Sequence, residues 1–185
     1  MIRLFTALEI PATTTGSLQR LQSGLQGARW IDPENFHITL RFIGDVPEDT
    51  AGEIDETLSR LQADPFDVEL RGLGQFGNSR PRAVWARIME SAPLLALQAQ
   101  QEAALQKIGL PPESRKYTPH ITLARLNGRK TDAAGVMQYI EQHNLFHELP
   151  FSATRFVLFS ARNGRGGGPY IAERTYSLGT DTLPS

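Results

Sequence analysis

His37-Ile38-Thr39-Leu40 recurs residue for residue as His120-Ile121-Thr122-Leu123. In an extended chain, side chains two apart share a face. Each copy therefore reads as a strand with an imidazole beside a hydroxyl on its polar face and Ile and Leu turned to a core. By the same alternation Arg41 falls in phase with His37 and Thr39, while Phe36, Ile38, Leu40 and Phe42 fall on the buried face. In the second copy Arg125 falls out of phase with His120, and reaches the polar face only if a bulge or strand end intervenes. A lone strand histidine is usually a half-exposed surface residue. Two in matched settings point to one shared site.

Around these strands the pattern alternates without a regular βαβ repeat. Strands are expected at residues 2–10, 36–43 (closed by Gly44-Asp45), 66–73, 83–89, 121–126, 155–160 and 170–178. Helices are expected at 11–26, from Pro47 onward, at 93–108, and at 132–144 with Asp132 as cap. Strands adjacent in sequence and mixed with helices give an α+β class rather than a doubly wound sheet. The reading is one domain over 1–185 with a loose tail from about 179.

The absence of cysteine excludes a disulfide framework, a thiolate zinc site, an iron–sulfur cluster and a thiol nucleophile. No apolar run approaches a membrane span, and the apolar N-terminal run is too short for a signal peptide, so a cytoplasmic monomer is the expectation. The net charge of −1 hides an uneven distribution. Residues 45–69 are strongly acidic, whereas Arg115, Lys116, Arg125, Arg129 and Lys130 crowd around the second motif with only Glu113 among them. Such a basic surface attracts phosphates even on a neutral protein.

Imidazole titrates near neutrality, so of two facing histidines one can be neutral and the other protonated. That pair suits general base and general acid work on a phosphodiester: one activates water, the other protonates the leaving oxygen. The Thr39 and Thr122 hydroxyls can donate to phosphate oxygens, and no metal or cofactor is required. Phe5, Phe76 and Tyr170 are candidates to stack on a base, against the commoner role of aromatics as core. His143 and His147 read as surface residues near a helix end rather than metal ligands. Arg165-Gly166-Gly167-Gly168 reads as a hairpin tip rather than a phosphate cradle.

The paired His-x-Thr-x motifs resemble those of the 2H phosphoesterases, most closely the bacterial branch of RNA 2′,3′-cyclic phosphodiesterases, or 2′-5′ RNA ligase-like proteins. Arg3-Leu4-Phe5-Thr6-Ala7-Leu8, Leu40-Arg41-Phe42-Ile43-Gly44, Phe76-Gly77, Arg82-Ala83-Val84-Trp85-Ala86, Tyr117-Thr118-Pro119-His120 and Gly168-Pro169-Tyr170 extend the resemblance along the chain. It implies a bilobal fold, two pseudo-symmetric lobes of antiparallel β-sheet flanked by helices, with the active groove between them. It also implies His37 as proton donor, His120 as proton acceptor, Thr39 and Thr122 on the phosphate, and Arg125 as a phosphate ligand. Arg41 is a further candidate for that contact. The implied reaction opens 2′,3′-cyclic phosphate RNA ends, tRNA fragments among them, to 2′-phosphates, and in reverse could make a 2′-5′ linkage. The alternatives are a non-catalytic RNA-binding module of the same fold and a phosphodiesterase for small cyclic nucleotides.

Overall fold

The computed structural model describes residues 1–162 and 168–179. Its strands are β1 (Ile2–Leu8), β2 (Ala28–Trp30), β3 (Ile38–Val46), β4 (Phe66–Phe76), β5 (Ala83–Ile88), β6 (His120–Leu126), β7 (His147–Ala153), β8 (Arg155–Ala161) and β9 (Tyr170–Ser177). The helices are α1 (Ala12–Gln19), α2 (Glu48–Ser59), α3 (Ala92–Lys107) and α4 (Ala133–Gln142). Two antiparallel sheets form, with strand orders β3-β1-β8-β9 and β2-β6-β5-β4-β7. One motif strand, β3, belongs to the first sheet and the other, β6, to the second. Helix α3 packs on both β3 and β4, and so binds the sheets together. Its buried Gln101 accepts a hydrogen bond from the Thr6 hydroxyl of β1 at 2.5 Å.

Helix starts follow local chemistry. Asp132 caps α4 by accepting from the Gly135 N–H at 2.6 Å, and Ser91 caps α3 through the Leu94 N–H. The first helix stops at Gln19, short of the expected 26, and Gly24 and Gly27 in the following loop both take φ of +76°, a conformation a helix does not admit. Gly44-Asp45 does not close β3. The strand skips Ile43 in its pairing with β1, takes up Gly44 at φ +90°, and continues to Val46. Two strands escape the sequence pattern: β2 has three residues, and β7 contains Pro150, which only an edge strand tolerates. At the C-terminal end the Gly179 N–H donates to the Ala63 carbonyl at 2.7 Å. Residues 163–167 of the expected hairpin tip and 180–185 of the expected tail lie outside the described residues.

One extra residue in each motif strand decides what faces the groove. In β3, Thr39 pairs with Ala7 and Arg41 with Thr6, so Leu40 is passed over. In β6, Thr122 pairs with Trp85 and Ala124 with Val84, so Leu123 is passed over. Both copies of the tetrapeptide therefore bulge at their leucine, and from there on the alternation inverts. Leu40 and Arg41 are consecutively buried, as are Leu123 and Ala124. The next side chain, Phe42 in one strand and Arg125 in the other, turns back to the polar face.

Close packing beneath β6 yields a stability prediction. A Cβ at Gly74 on β4 would fall inside the Trp85 indole on β5, and Trp85 in turn lies 5.6 Å from His120 between ring centroids. Gly74→Ala should lower stability by about 1–3 kcal/mol, seen as a lower urea midpoint with an unchanged denaturant slope. An unchanged midpoint would show that the indole moves aside freely.

Candidate active site

The two motif strands contribute to one cavity of about 180 Å³, whose lining includes His37, Thr39, Phe42, His120, Thr122 and Arg125. The histidines are held alike. His37 Nδ1 lies 2.8 Å from the Asn35 carbonyl and His120 Nδ1 lies 2.6 Å from the Thr118 carbonyl, in each case two residues back. A carbonyl can only accept, so each Nδ1 carries a proton and each neutral ring offers Nε2 as its basic atom. The Thr39 hydroxyl lies 3.1 Å from His37 Nε2.

Each ring is also backed by aromatics. Phe5 and Tyr170 pack on His37 at 5.0 and 5.1 Å, while Phe76 and Trp85 pack on His120 at 4.9 and 5.6 Å. Of the stacking candidates, Phe5 and Tyr170 border the cavity, but Phe5 is 4% exposed and wedged among His37, Phe159 and Tyr170, the packing expected of a core aromatic. Phe76 and Tyr170 are half-buried and set their edges or faces against the imidazoles.

The bulges settle the two arginines in opposite senses. Arg125 joins His120 and Thr122 on the groove side and lines the cavity. Arg41 does not share the face of His37. It is 5% exposed, and its guanidinium donates to Glu102 of α3, to the Phe42 carbonyl, and to the Pro111 carbonyl at 2.6 Å. Glu102 also accepts from the Glu113 N–H at 2.9 Å. Arg41 therefore ties β3 to the segment that leads into His120. Tyr117 of that segment donates its hydroxyl to the Thr39 carbonyl at 3.0 Å, and burial pushes its phenol up so that it stays a donor. Together these bonds fix one motif strand against the approach to the other.

Phe42, expected in the core, is 44% exposed and lines both this cavity and a neighbouring one of about 340 Å³ that shares Thr39 and His120. The signal for it was present: identical tetrapeptides imply the same bulge, and Phe42 and Arg125 stand at the same offset, five residues after their histidines. The remaining histidines lie elsewhere. His143 packs on Tyr139 at the end of α4, and His147 opens β7 beside Glu69. No group of three or more His, Asp or Glu among the described residues is placed to hold a metal ion.

Burial favours neutral imidazoles in the groove. Desolvation pushes His37 down to about 4, opposed by the Asn35 carbonyl and aided by the charges of His120 and Arg125. Desolvation also lowers His120, again opposed by its carbonyl and aided by Arg125. Both imidazoles and the Arg125 guanidinium thus line one cavity whose charge favours an anion.

Residues 11–165 match the family described as the 2′-5′ RNA ligase superfamily. The RNA 2′,3′-cyclic phosphodiesterase of Archaeoglobus fulgidus is 30% identical over 141 residues, covering 74% of this chain and 80% of that protein. The enzyme of the same name from Methanothermobacter thermautotrophicus is 31% identical over 152 residues, 76% of this chain and 82% of that one. Among solved structures, Escherichia coli LigT complexed with 3′-AMP superposes with a TM-score of 0.79 at 22% identity, covering 97% of this chain and 99% of that chain.

An anion in the cavity should reverse the depression of the histidines. Its charge offsets that of Arg125 and stabilises imidazolium, so binding takes up protons over the window from about 4 to the raised value in the complex. Sulfate, whose own charge is constant there, should bind more tightly as pH falls from 7 toward 4, with net proton uptake in calorimetry across buffers. Binding that is independent of pH, or that releases protons, would mean that neither imidazole faces the anion.

Proposed function

The chain belongs to the 2′-5′ RNA ligase superfamily, and on that footing we propose that it is a metal-independent RNA 2′,3′-cyclic phosphodiesterase. The observation that carries this reading is the matched pair of imidazoles, both fixed with Nδ1 protonated, lining one cavity with Arg125.

In the proposed reaction the cyclic phosphate lies between the two Nε2 atoms. His120 Nε2 accepts a proton from water as the water oxygen bonds to phosphorus. The bond from phosphorus to O3′ breaks, and the proton on His37 Nε2 passes to that oxygen, leaving a 2′-phosphate and a 3′-hydroxyl. The cycle ends with His120 charged and His37 neutral, and exchange with solvent resets them. Substrate charge favours the protonated His37 that burial disfavours, so the acid is armed by the anion it acts on. Arg125, Thr39 and Thr122 can donate to the non-bridging oxygens, where negative charge grows in the transition state. With an RNA 5′-hydroxyl attacking phosphorus in place of water, the same steps would leave a 2′-5′ linkage and a 3′-hydroxyl.

The reading predicts that His37→Ala and His120→Ala each lower kcat on a 2′,3′-cyclic-phosphate oligonucleotide by roughly 10²–10⁴-fold. Product analysis should show 2′-phosphate only, and EDTA should leave the rate unchanged. Mixed 2′- and 3′-phosphates, or activity within a few-fold of wild type in either variant, would sink the assignment. Because one ring must be neutral and one charged, kcat/KM should trace a bell whose limbs belong to the coupled pair. A rate rising monotonically from pH 5 to 9 would count against it.

Phe42 supplies a further check. An exposed ring beside the reacting atoms offers a face to a nucleobase, worth about 1–3 kcal/mol. Phe42→Ala should therefore raise KM for nucleoside 2′,3′-cyclic phosphates while sparing a base-free ribose 2′,3′-cyclic phosphate, and Phe42→Trp should restore it. Equal loss on both substrates would make Phe42 a structural wall.

A further inference from the structure

Beside the active cavity, and sharing Arg125 with it, runs an open cleft of about 580 Å³ lined by Arg29, Arg82, Arg125 and Lys130. These side chains come from β2, the residue before β5, β6, and the turn after β6. All four are exposed, no acidic side chain lines the cleft, and none of the four is ion-paired among the described residues. Among the described residues Arg3, Arg41, Arg60, Arg71, Arg115, Arg155 and Arg174 have carboxylate partners, while Arg20, Arg80, Arg87, Lys107, Lys116 and Arg129 do not; what sets the four apart is that they line one cleft without an acid.

The fold brings these charges together against their repulsion. Arg29 and Arg125 stand directly opposite each other in the β2–β6 register, a placement that costs stability for like charges. Lys130 reaches them because Gly27 lacks a Cβ, which would collide with the Lys130 and Thr131 side chains. The Thr131 hydroxyl then ties this turn to the Gln26 carbonyl at 2.8 Å. In a chain of net charge −1, a held and unpaired basic track opening from the reacting centre calls for an anionic polymer.

We propose that this cleft is a binding site for the sugar–phosphate backbone of a single RNA strand, seating the phosphates that precede the reacting end. The proposal rests on the reading of the substrate as an RNA terminus. It also revises the basic rim that the sequence suggests. Arg125 and Lys130 belong to the track, Arg29 and Arg82 join it from far along the chain, and Arg129 does not line it. Arg115 lines the neighbouring cavity and is paired with Glu113.

The test is fluorescence anisotropy with a labelled single-stranded oligoribonucleotide ending in a 3′-phosphate, titrated over a range of salt. For Arg29→Gln/Lys130→Gln the dissociation constant should rise roughly tenfold at low salt, and the slope of log affinity on log salt should flatten by about 0.7 for each contact removed. Lys107→Gln, which removes one charge from the end of α3, should match wild type. Hydrolysis of a mononucleotide 2′,3′-cyclic phosphate, run in parallel, should be unchanged in the double variant. Affinity and slope equal to those of the Lys107 control would overturn the proposal. So would an equal loss on the mononucleotide, which would make the two side chains supports of the groove. If wild type fails to hydrolyse a 2′,3′-cyclic-phosphate oligonucleotide, the functional reading falls, and the anisotropy arms still decide whether the cleft holds RNA.

Discussion

The site depends on one backbone constraint: each motif strand carries a residue that its neighbour does not pair. Without those two bulges, strict alternation would send Arg125 into the core and bring Arg41 to the groove. With them, each strand presents His, Thr and then the side chain five residues after the His. The two motif strands are therefore alike through their bulges and differ in chemistry at the last of these positions, where one offers an aromatic face and the other a guanidinium. Likeness extends to the supports. Each imidazole is oriented by a carbonyl two residues back and flanked by aromatic rings, three around His37 and two around His120.

What holds the two halves in register is a small buried polar network. The Arg41 guanidinium reaches three acceptors, among them Pro111 near the start of the segment that leads to the second motif. Tyr117, at the other end of that segment, bonds to the backbone of the first motif at Thr39. Burying a charge is expensive unless its donors are matched, and here they are. A residue that alternation marks as a phosphate ligand thus works one layer deeper, on the geometry of the groove.

Much of this was legible in the chain. The repeated tetrapeptide marks both halves of the site and both motif strands, and Asp132 marks the start of α4. The class of the fold follows from strands and helices intermixed along the sequence. What escaped was whatever depends on pairing rather than on local pattern. Alternation alone cannot see a bulge, so Arg41 and Phe42 exchange faces relative to the expected reading. The three-residue β2 carries too little pattern to detect, yet it sets Arg29 against Arg125. Phe5 looks like any aromatic on an amphipathic strand, and only its contacts reveal a ring pressed against His37.

Pro150 has a consequence of another kind. The five-stranded sheet ends on one side in β7, which this proline interrupts, and on the other in β2, which spans three residues. An exposed sheet edge is a template on which a second chain can add a strand. Here one edge lacks an N–H in mid-strand and the other is too short to hold a partner in register. The sheet that carries His120 is thereby protected at both borders against growth by strand addition, a safeguard that matters most when the protein is concentrated or newly made.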